Sequence, residues 1–459
     1  MTVSSITTSG LNRIQIPSGN TLYPAGEPVC KILDNGLRII VDKMPGKLTT
    51  NLVITVFAGG VDDPSGLSGL AHCTEHIFCE GTDRPGQRSF EDIRRTLSDL
   101  GEEINAGTNK VFTQCTARVQ NEDLYVPLGL YLDLIFCASP TSEKVAKHKE
   151  IILRERANRE SDKEADDTPG EILRKLRESM YSNHPLFSVD VIGTEESISR
   201  IRTEDVAGFM HKLYTPDNVV ISICGNVNPD EVFRFIEEKV AGIRRQRDKS
   251  GILPFKVNPE IYRGTSANFQ HAMLRLHANG PTVLDDPTAR YATTLLNGGL
   301  QSRLFAELRE RRFLDYSPGA FYSPDPYDGK LAISTNVPEA RAIEALEIIA
   351  LQIDQLKQHG LTDEEVSLLH RQLKLAILKL FEDSDFRVNI NGLNMLFKGS
   401  GPDLVRELEG IFTLPNHSVP EQAASLFRPG NVGLVAAGKD DLPTEEQLKE
   451  VLRSHSLMA

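Results

Sequence analysis

This chain repeats itself, and the repeat restricts its fold more than any other feature. Residues 215–225 read TPDNVVISICG and residues 428–438 read RPGNVGLVAAG. Each is an apolar run entered through a turn with Pro and Asn and closed by Gly, the pattern of a buried strand. A helix-like segment follows each run: PDEVFRFIEEK from Pro229 and PTEEQLKEVL from Pro443, with Pro where a first helical turn tolerates it. Toward the front of each half an apolar strand leads into an Asp-Asp-Pro turn, at Asp62–Asp63–Pro64 and Asp285–Asp286–Pro287, and then into a helix. Asp-Asp-Pro alone is common in turns. Matching landmarks in the same order at both ends of both halves argue for duplication.

Between the halves lies IRRQRDKSGILPFKVNPE from Ile243, charged and then interrupted by Pro, which is linker composition. The remaining segments alternate between strand-like runs, such as residues 36–41 (GLRIIV) and 52–57 (LVITVF), and helix-like ones, such as 89–100 (SFEDIRRTLSDL). The expected fold is α+β: two structurally similar α/β-sandwich halves, each a mostly antiparallel sheet flanked by helices. Residues 1–242 form the first domain, 243–265 the linker and 266–459 the second domain.

Composition removes several function classes. Lys and Arg number 51 against 64 Asp and Glu, a formal charge of −13, the wrong sign for displacing counterions from a nucleic acid. No apolar run approaches the roughly 18 residues of a membrane span. Six cysteines lie scattered without a C-x-x-C pair, as expected of free thiols in a reducing compartment. The first twenty residues carry no secretory pattern, so a cytoplasmic protein is expected, with a transit peptide as the weaker alternative.

The sharpest chemical signal is His72-Cys73-Thr74-Glu75-His76. On a helix, residues four apart lie about 40° apart around the axis, so both imidazoles share a face and Glu75 joins them. Two neutral imidazoles suit Zn²⁺, and a carboxylate beside them can take a proton from water. The alternative is a polar helix face with two exposed histidines. Cys73 points about 100° away and is expected to pack inside. A catalytic zinc needs a third protein ligand. Downstream, HKEIILRERANRESD from His148 has a helical pattern and holds several carboxylates, Glu155 among them.

The H-x-x-E-H order and the Leu153-Arg154-Glu155 segment resemble the inverzincin family that includes pitrilysin, insulysin and the mitochondrial processing peptidase. The resemblance implies Glu155 as third zinc ligand and Glu75 as general base. The family usually has a second Glu two helical turns before the ligand; His148 stands there, as hydrogen-bond partner, adventitious ligand or solvated side chain. Asn105-Ala106-Gly107-Thr108 resembles the family's edge strand, implying that Asn105 and Ala106 hold a peptide by strand addition. Residues 191–198 (VIGTEESI) and 214–218 (YTPDN) resemble passages with structural roles. Residues 302–317, with Ser302-Arg303-Leu304-Phe305, Leu308-Arg309-Glu310 and Tyr316-Ser317, resemble a segment whose Arg and Tyr contact substrate, implying those roles for Arg309 and Tyr316. Phe313 replaces a Gly common in the family. The corresponding helix of the second half, ARYATTLLNGG from Ala289, lacks the metal motif.

The resemblance therefore implies a zinc endopeptidase with one Zn²⁺ per chain, cleaving unfolded peptides, presequences or leader peptides inside the enclosed chamber of a dimer. Homodimer and heterodimer with a sister subunit are both open. The competing readings are a non-catalytic or partner-dependent subunit of a larger complex, and a zinc hydrolase of non-peptide substrates. No nucleic-acid or membrane partner is expected.

Overall fold

A computed structural model describes residues 26–82, 89–161, 169–181, 190–244, 246–247, 256, 258–282, 300–323, 329–401 and 416–459. Two sheets flanked by helices make an α+β fold. The first sheet holds β1 (Val29–Ile32), β2 (Arg38–Lys43), β3 (Thr49–Val56), β4 (Asn105–Thr108), β5 (Thr113–Gln120) and β6 (Val219–Gly225), in the order β1-β2-β6-β3-β5-β4. The second holds β7 (Ile261–Thr265), β8 (Ala272–Gly280), β9 (Gly319–Ser323), β10 (Gly329–Val337) and β11 (Val432–Gly438), in the order β7-β11-β8-β10-β9. Without β1, the two orders superpose strand for strand. Within each of these five-strand sets the first strand pairs parallel with the last, β2 with β6 and β7 with β11, and the other pairings, β1 with β2 included, are antiparallel.

The repeated sequences become the repeated strands β6 and β11, and the Asn entering each does the same work. Asn218 Nδ2 donates to the Leu213 and Phe57 carbonyls at 2.7 and 2.9 Å. Asn431 Nδ2 donates to the Leu426 and Asn279 carbonyls at 2.7 and 2.8 Å. Both side chains are buried.

The first half supplies helices α1 (Leu70–Phe78), α2 (Phe90–Ser98), α3 (Tyr125–Cys137), α4 (Ser142–Ser161), α5 (Pro169–Met180), α6 (Glu195–Arg200), α7 (Thr203–Leu213) and α8 (Pro229–Lys239). The second supplies α9 (Gln301–Leu304, continuing as a π-helix over Phe305–Arg311), α10 (Ala342–His359), α11 (Asp363–Glu382), α12 (Ser384–Lys398), α13 (Val419–Leu426) and α14 (Glu445–Ser454).

Alternation along the strands sorts the core into two faces. Ile39, Val41, Leu52, Ile54, Ile221 and Ile223 turn toward the first half's own helices, α1 included. Ile40, Val53, Val220 and Cys224 turn the other way, onto Val388, Met395 and Leu396 of α12. Gly392 permits the close approach, since a Cβ there would stand 3.2 Å from Ser222 Cβ. The second sheet is covered in return by α5: Ile172, Leu173 and Leu176 pack on Tyr262, Val435 and Ala437. At Gly264 a Cβ would meet Ile172 Cγ2 at 2.3 Å. Each half thus lends one helix to the sheet of the other.

Two expectations need correction. Residues 261–265, expected in the linker, form β7 and belong to the second sheet. The short strand was hidden because Arg263 and Gly264 break its apolar pattern. Pro443 lies before the Thr444 cap of α14 and not inside the helix, whereas Pro229 does open α8. The second Asp-Asp-Pro turn and the helix expected from Ala289 lie outside the described residues.

Candidate metal centre

The sequence of α1 divides its surface. Leu70, Ala71, Cys73, Ile77 and Phe78 enter the core, so His72, Glu75 and His76 share the opposite face. The helix starts at Gly69, whose φ of +93° suits glycine and whose missing side chain admits the Ile192 carbonyl. Gly193, at φ +82°, packs back against Ser68 for the same reason. Asp63 supplies the cap that Gly69 lacks, accepting from the Gly69 and Ala71 N–H groups at 2.7 Å each. Burial nevertheless pushes its carboxyl up to about 7, against those two bonds. The passage 191–198 is therefore a brace for α1: Ser197 Oγ donates to the Ser68 carbonyl at 2.6 Å.

Helix α4 packs on α1 through the buried Ile152 and brings Glu155 to the two imidazoles. Arg156 secures it by donating to the Gly193 carbonyl at 2.6 Å. His72 Nε2 and His76 Nε2 lie 3.3 Å apart, and Glu155 Oε2 is 3.7 and 3.8 Å from them. Such a triangle of donors has each corner about 2.1 Å from its centre, the Zn–N and Zn–O bond length. Among the described residues these three form the one group of His, Cys, Asp or Glu gathered closely enough to hold an ion. Burial pushes His76 down to about 4, which keeps the imidazole neutral, the form that binds metal. The donor set fits zinc.

Glu75 is buried beside the triangle. Burial raises its pKa, and Thr108 works in the opposite direction by donating its hydroxyl to Oε2 at 2.7 Å. Cys73 is fully buried and its thiol is pushed up to about 12, so it is packing. His148 is neither solvated nor in the donor triangle. It is buried, its ring lies edge-on to His76 at 5.4 Å, and its Nε2 pairs with Glu80 Oε1 at 2.8 Å. Glu80, two residues past the end of α1, also accepts from Lys147 Nζ at 2.6 Å.

Asn105 and Ala106 lie on β4, an edge strand of the first sheet, beside α1. Ala106 and Thr108 face inward, and Asn105 and Gly107 are exposed. Arg309 and Tyr316 come together, the guanidinium 4.0 Å from the Tyr316 ring centre and 4.6 Å from that of Phe305. Among the described residues their segment packs on α10, and α1 packs on α4, α7 and β4. Asp315 fixes the turn between them, accepting from Thr335 Oγ1 at 2.7 Å and from the Asn336 N–H at 2.9 Å. Phe313 adopts φ +52°, a conformation that favours the Gly it replaces. Sequence reasoning gave no role to Thr108, Asp63, Glu80 or Asp315. Asp63 and Thr108 stood inside quoted motifs, but their partners are set by the fold.

Comparison with known proteins gives a consistent picture. Residues 38–189 match the profile described as insulinase (peptidase family M16), and residues 200–373 the one described as the peptidase M16 inactive domain. An uncharacterized zinc protease of Bacillus subtilis is 25% identical over 385 residues, covering 82% of this chain and 91% of the relative. One from Mycobacterium leprae is 27% identical over 391 residues, covering 83% and 86%. Among solved structures, a Helicobacter pylori protease aligns with TM-score 0.77 at 17% identity, over 90% of this chain and 99% of the other. The first half of the periplasmic protease PqqL of Escherichia coli aligns with TM-score 0.79 at 15% identity, over 94% and 97%.

Proposed function

Because this chain belongs to the insulinase (M16) family of peptidases, we propose that it is a zinc-dependent endopeptidase, with one zinc per chain, that cuts unfolded peptides, presequences or leader peptides. The observation that carries this reading is the donor triangle of His72, His76 and Glu155 with the Glu75 carboxylate on the same helix face. Zinc held there supplies a Lewis acid that polarises a peptide carbonyl and acidifies water.

The other steps fall to the chain. The peptide adds to the open edge of β4, where the Ala106 backbone and the Asn105 side chain align it. Glu75 takes a proton from the attacking water and passes it to the amide nitrogen as the C–N bond breaks. Arg309 and Tyr316 donate to the carbonyl oxygen as negative charge develops. A π-helical segment such as the one carrying Arg309 is frequent at functional sites. The segment of that pair packs on α10, and we assign its contact with substrate to a homodimer in which the second half of one copy faces the metal helix of the other, enclosing a chamber. Six free cysteines support a reducing, cytoplasmic setting. Among the described residues no helix is long and apolar enough to cross a membrane.

The second reading is a partner-dependent or non-catalytic subunit of a heterodimer. The match of residues 200–373 to a domain described as inactive favours it.

Zinc content by elemental analysis, with cleavage of a mixed peptide library with and without chelator, tests both readings. The wild type is expected to hold one zinc and cleave peptides in a chelator-sensitive way. Glu155→Gln is expected to lose both zinc and cleavage, and Glu75→Gln to keep zinc and lose cleavage. Full zinc without cleavage favours the partner-dependent subunit, and no zinc at all overturns the catalytic reading. A monomer by light scattering that cleaves at full rate removes the dimer.

A further inference from the structure

We infer that Thr108 is a positioning residue: it aims the Glu75 carboxylate and ties it to the strand on which the substrate is added. The inference rests on the peptidase reading above.

The hydrogen bond to the Glu75 carboxylate comes from Thr108, whose hydroxyl donates to Oε2 at 2.7 Å. The Thr108 backbone N–H also favours the charged carboxylate. An ionised carboxylate only accepts, so the Thr108 hydroxyl donates to it. Thr113 Oγ1, whose own hydrogen goes to the Ala58 carbonyl at 2.9 Å, lies farther from Thr108 Oγ1, at 3.1 Å. With the hydroxyl bonded to Oε2, the carboxylate is oriented while buried beside the metal ligands.

Thr108 ends β4, a strand of four residues at the sheet edge whose one strand partner among the described residues is β5. A peptide added along its other edge supplies a second ladder of backbone hydrogen bonds. Ordering β4 orders Thr108, and through it Glu75. Occupancy of the strand site and orientation of the base become one event.

Two substitutions separate this role from a merely structural one. Thr108→Val keeps the shape, the β-branching and the backbone N–H and removes only the hydroxyl. Thr108→Ser keeps the hydroxyl and gives up the branch. If the hydroxyl aims Glu75, Thr108→Val lowers kcat roughly 10- to 100-fold with KM unchanged, while Thr108→Ser retains most of kcat. Both variants hold one zinc, and their zinc-free forms bind a labelled peptide from the cleaved library as tightly as the zinc-free wild type does. An unchanged kcat in Thr108→Val, an equal loss in Thr108→Ser, or a loss confined to KM or peptide affinity overturns the inference. A zinc-loaded wild type that cleaves no peptide overturns the peptidase reading itself, and this inference with it.

Discussion

Burial decides the charge state of several side chains in this protein, and His277 shows the consequence for stability. It sits on β8 opposite Gly433 of β11, where a Cβ would stand 2.5 Å from its Nε2. Enclosure pushes the imidazole down to about 4, against a weak bond to the Asn258 carbonyl at 3.4 Å. Below its unfolded value of about 6.5 the unfolded chain binds a proton that the folded chain refuses, so stability falls as pH drops and the loss is complete below about 4. The loss from this one residue is at most roughly 3 kcal/mol. Melting temperatures of wild type and His277→Gln between pH 7 and pH 4 check it. Gln cannot titrate, so the wild type should lose ground to the variant as pH falls, and a constant difference would refute the assignment. At this scale the sequence was readable where helical periodicity alone sets the geometry, as for His72, Glu75 and His76 on one face. Glu155 needed the resemblance, because periodicity does not say which of several carboxylates on a second helix meets the first. The Thr108–Glu75 bond joins residues 33 positions apart and left no local pattern to find.

The repeated element is the turn and strand around Asn218 and Asn431. Each Asn bridges a carbonyl at the end of the preceding helix and one at the end of a neighbouring strand, and each is buried. Removing the amide breaks two buried hydrogen bonds, each worth about 0.5–1.5 kcal/mol. Asn218→Ala and Asn431→Ala should therefore lower the melting temperature by similar amounts, and a neutral result for either would show that the likeness is one of sequence alone. Such elements were legible because an apolar run, a turn residue and a closing Gly lie next to one another in the chain. The strand β7 was not, since its pairing with β11 does more to define it than its own IYRGT sequence. The turn after α9 is intermediate: the substrate-contact roles proposed for Arg309 and Tyr316 followed from resemblance, but the left-handed Phe313 and the Asp315 clasp emerge only from the folded loop.

Across the whole molecule the two halves are not independent, because α12 covers the first sheet and α5 the second. Periodicity tells that a helix has an apolar face, not which sheet that face meets, so this exchange could not be read from the chain. Its most constrained contact is the ion pair of Arg387 with Asp42, both buried, with Asn391 Nδ2 adding a bond to the same carboxylate at 3.0 Å. Around it Ser222 Oγ donates to the Val388 carbonyl at 2.7 Å, and Arg38 reaches the Met395 and Leu396 carbonyls at 2.9 and 3.1 Å. Arg387→Ala strands the Asp42 charge in the sheet, which costs about 3–5 kcal/mol. Because α12 belongs to the second half by sequence and to the first by packing, the loss should lower one shared melting transition, not release one half and spare the other. Replacing both partners removes the stranded charge, so Asp42→Leu with Arg387→Met should recover most of the loss. Calorimetry of the three proteins decides it: two separated transitions in the wild type, or an Arg387→Ala variant that melts unchanged, would show that the exchanged helices do not bind the halves into one cooperative unit.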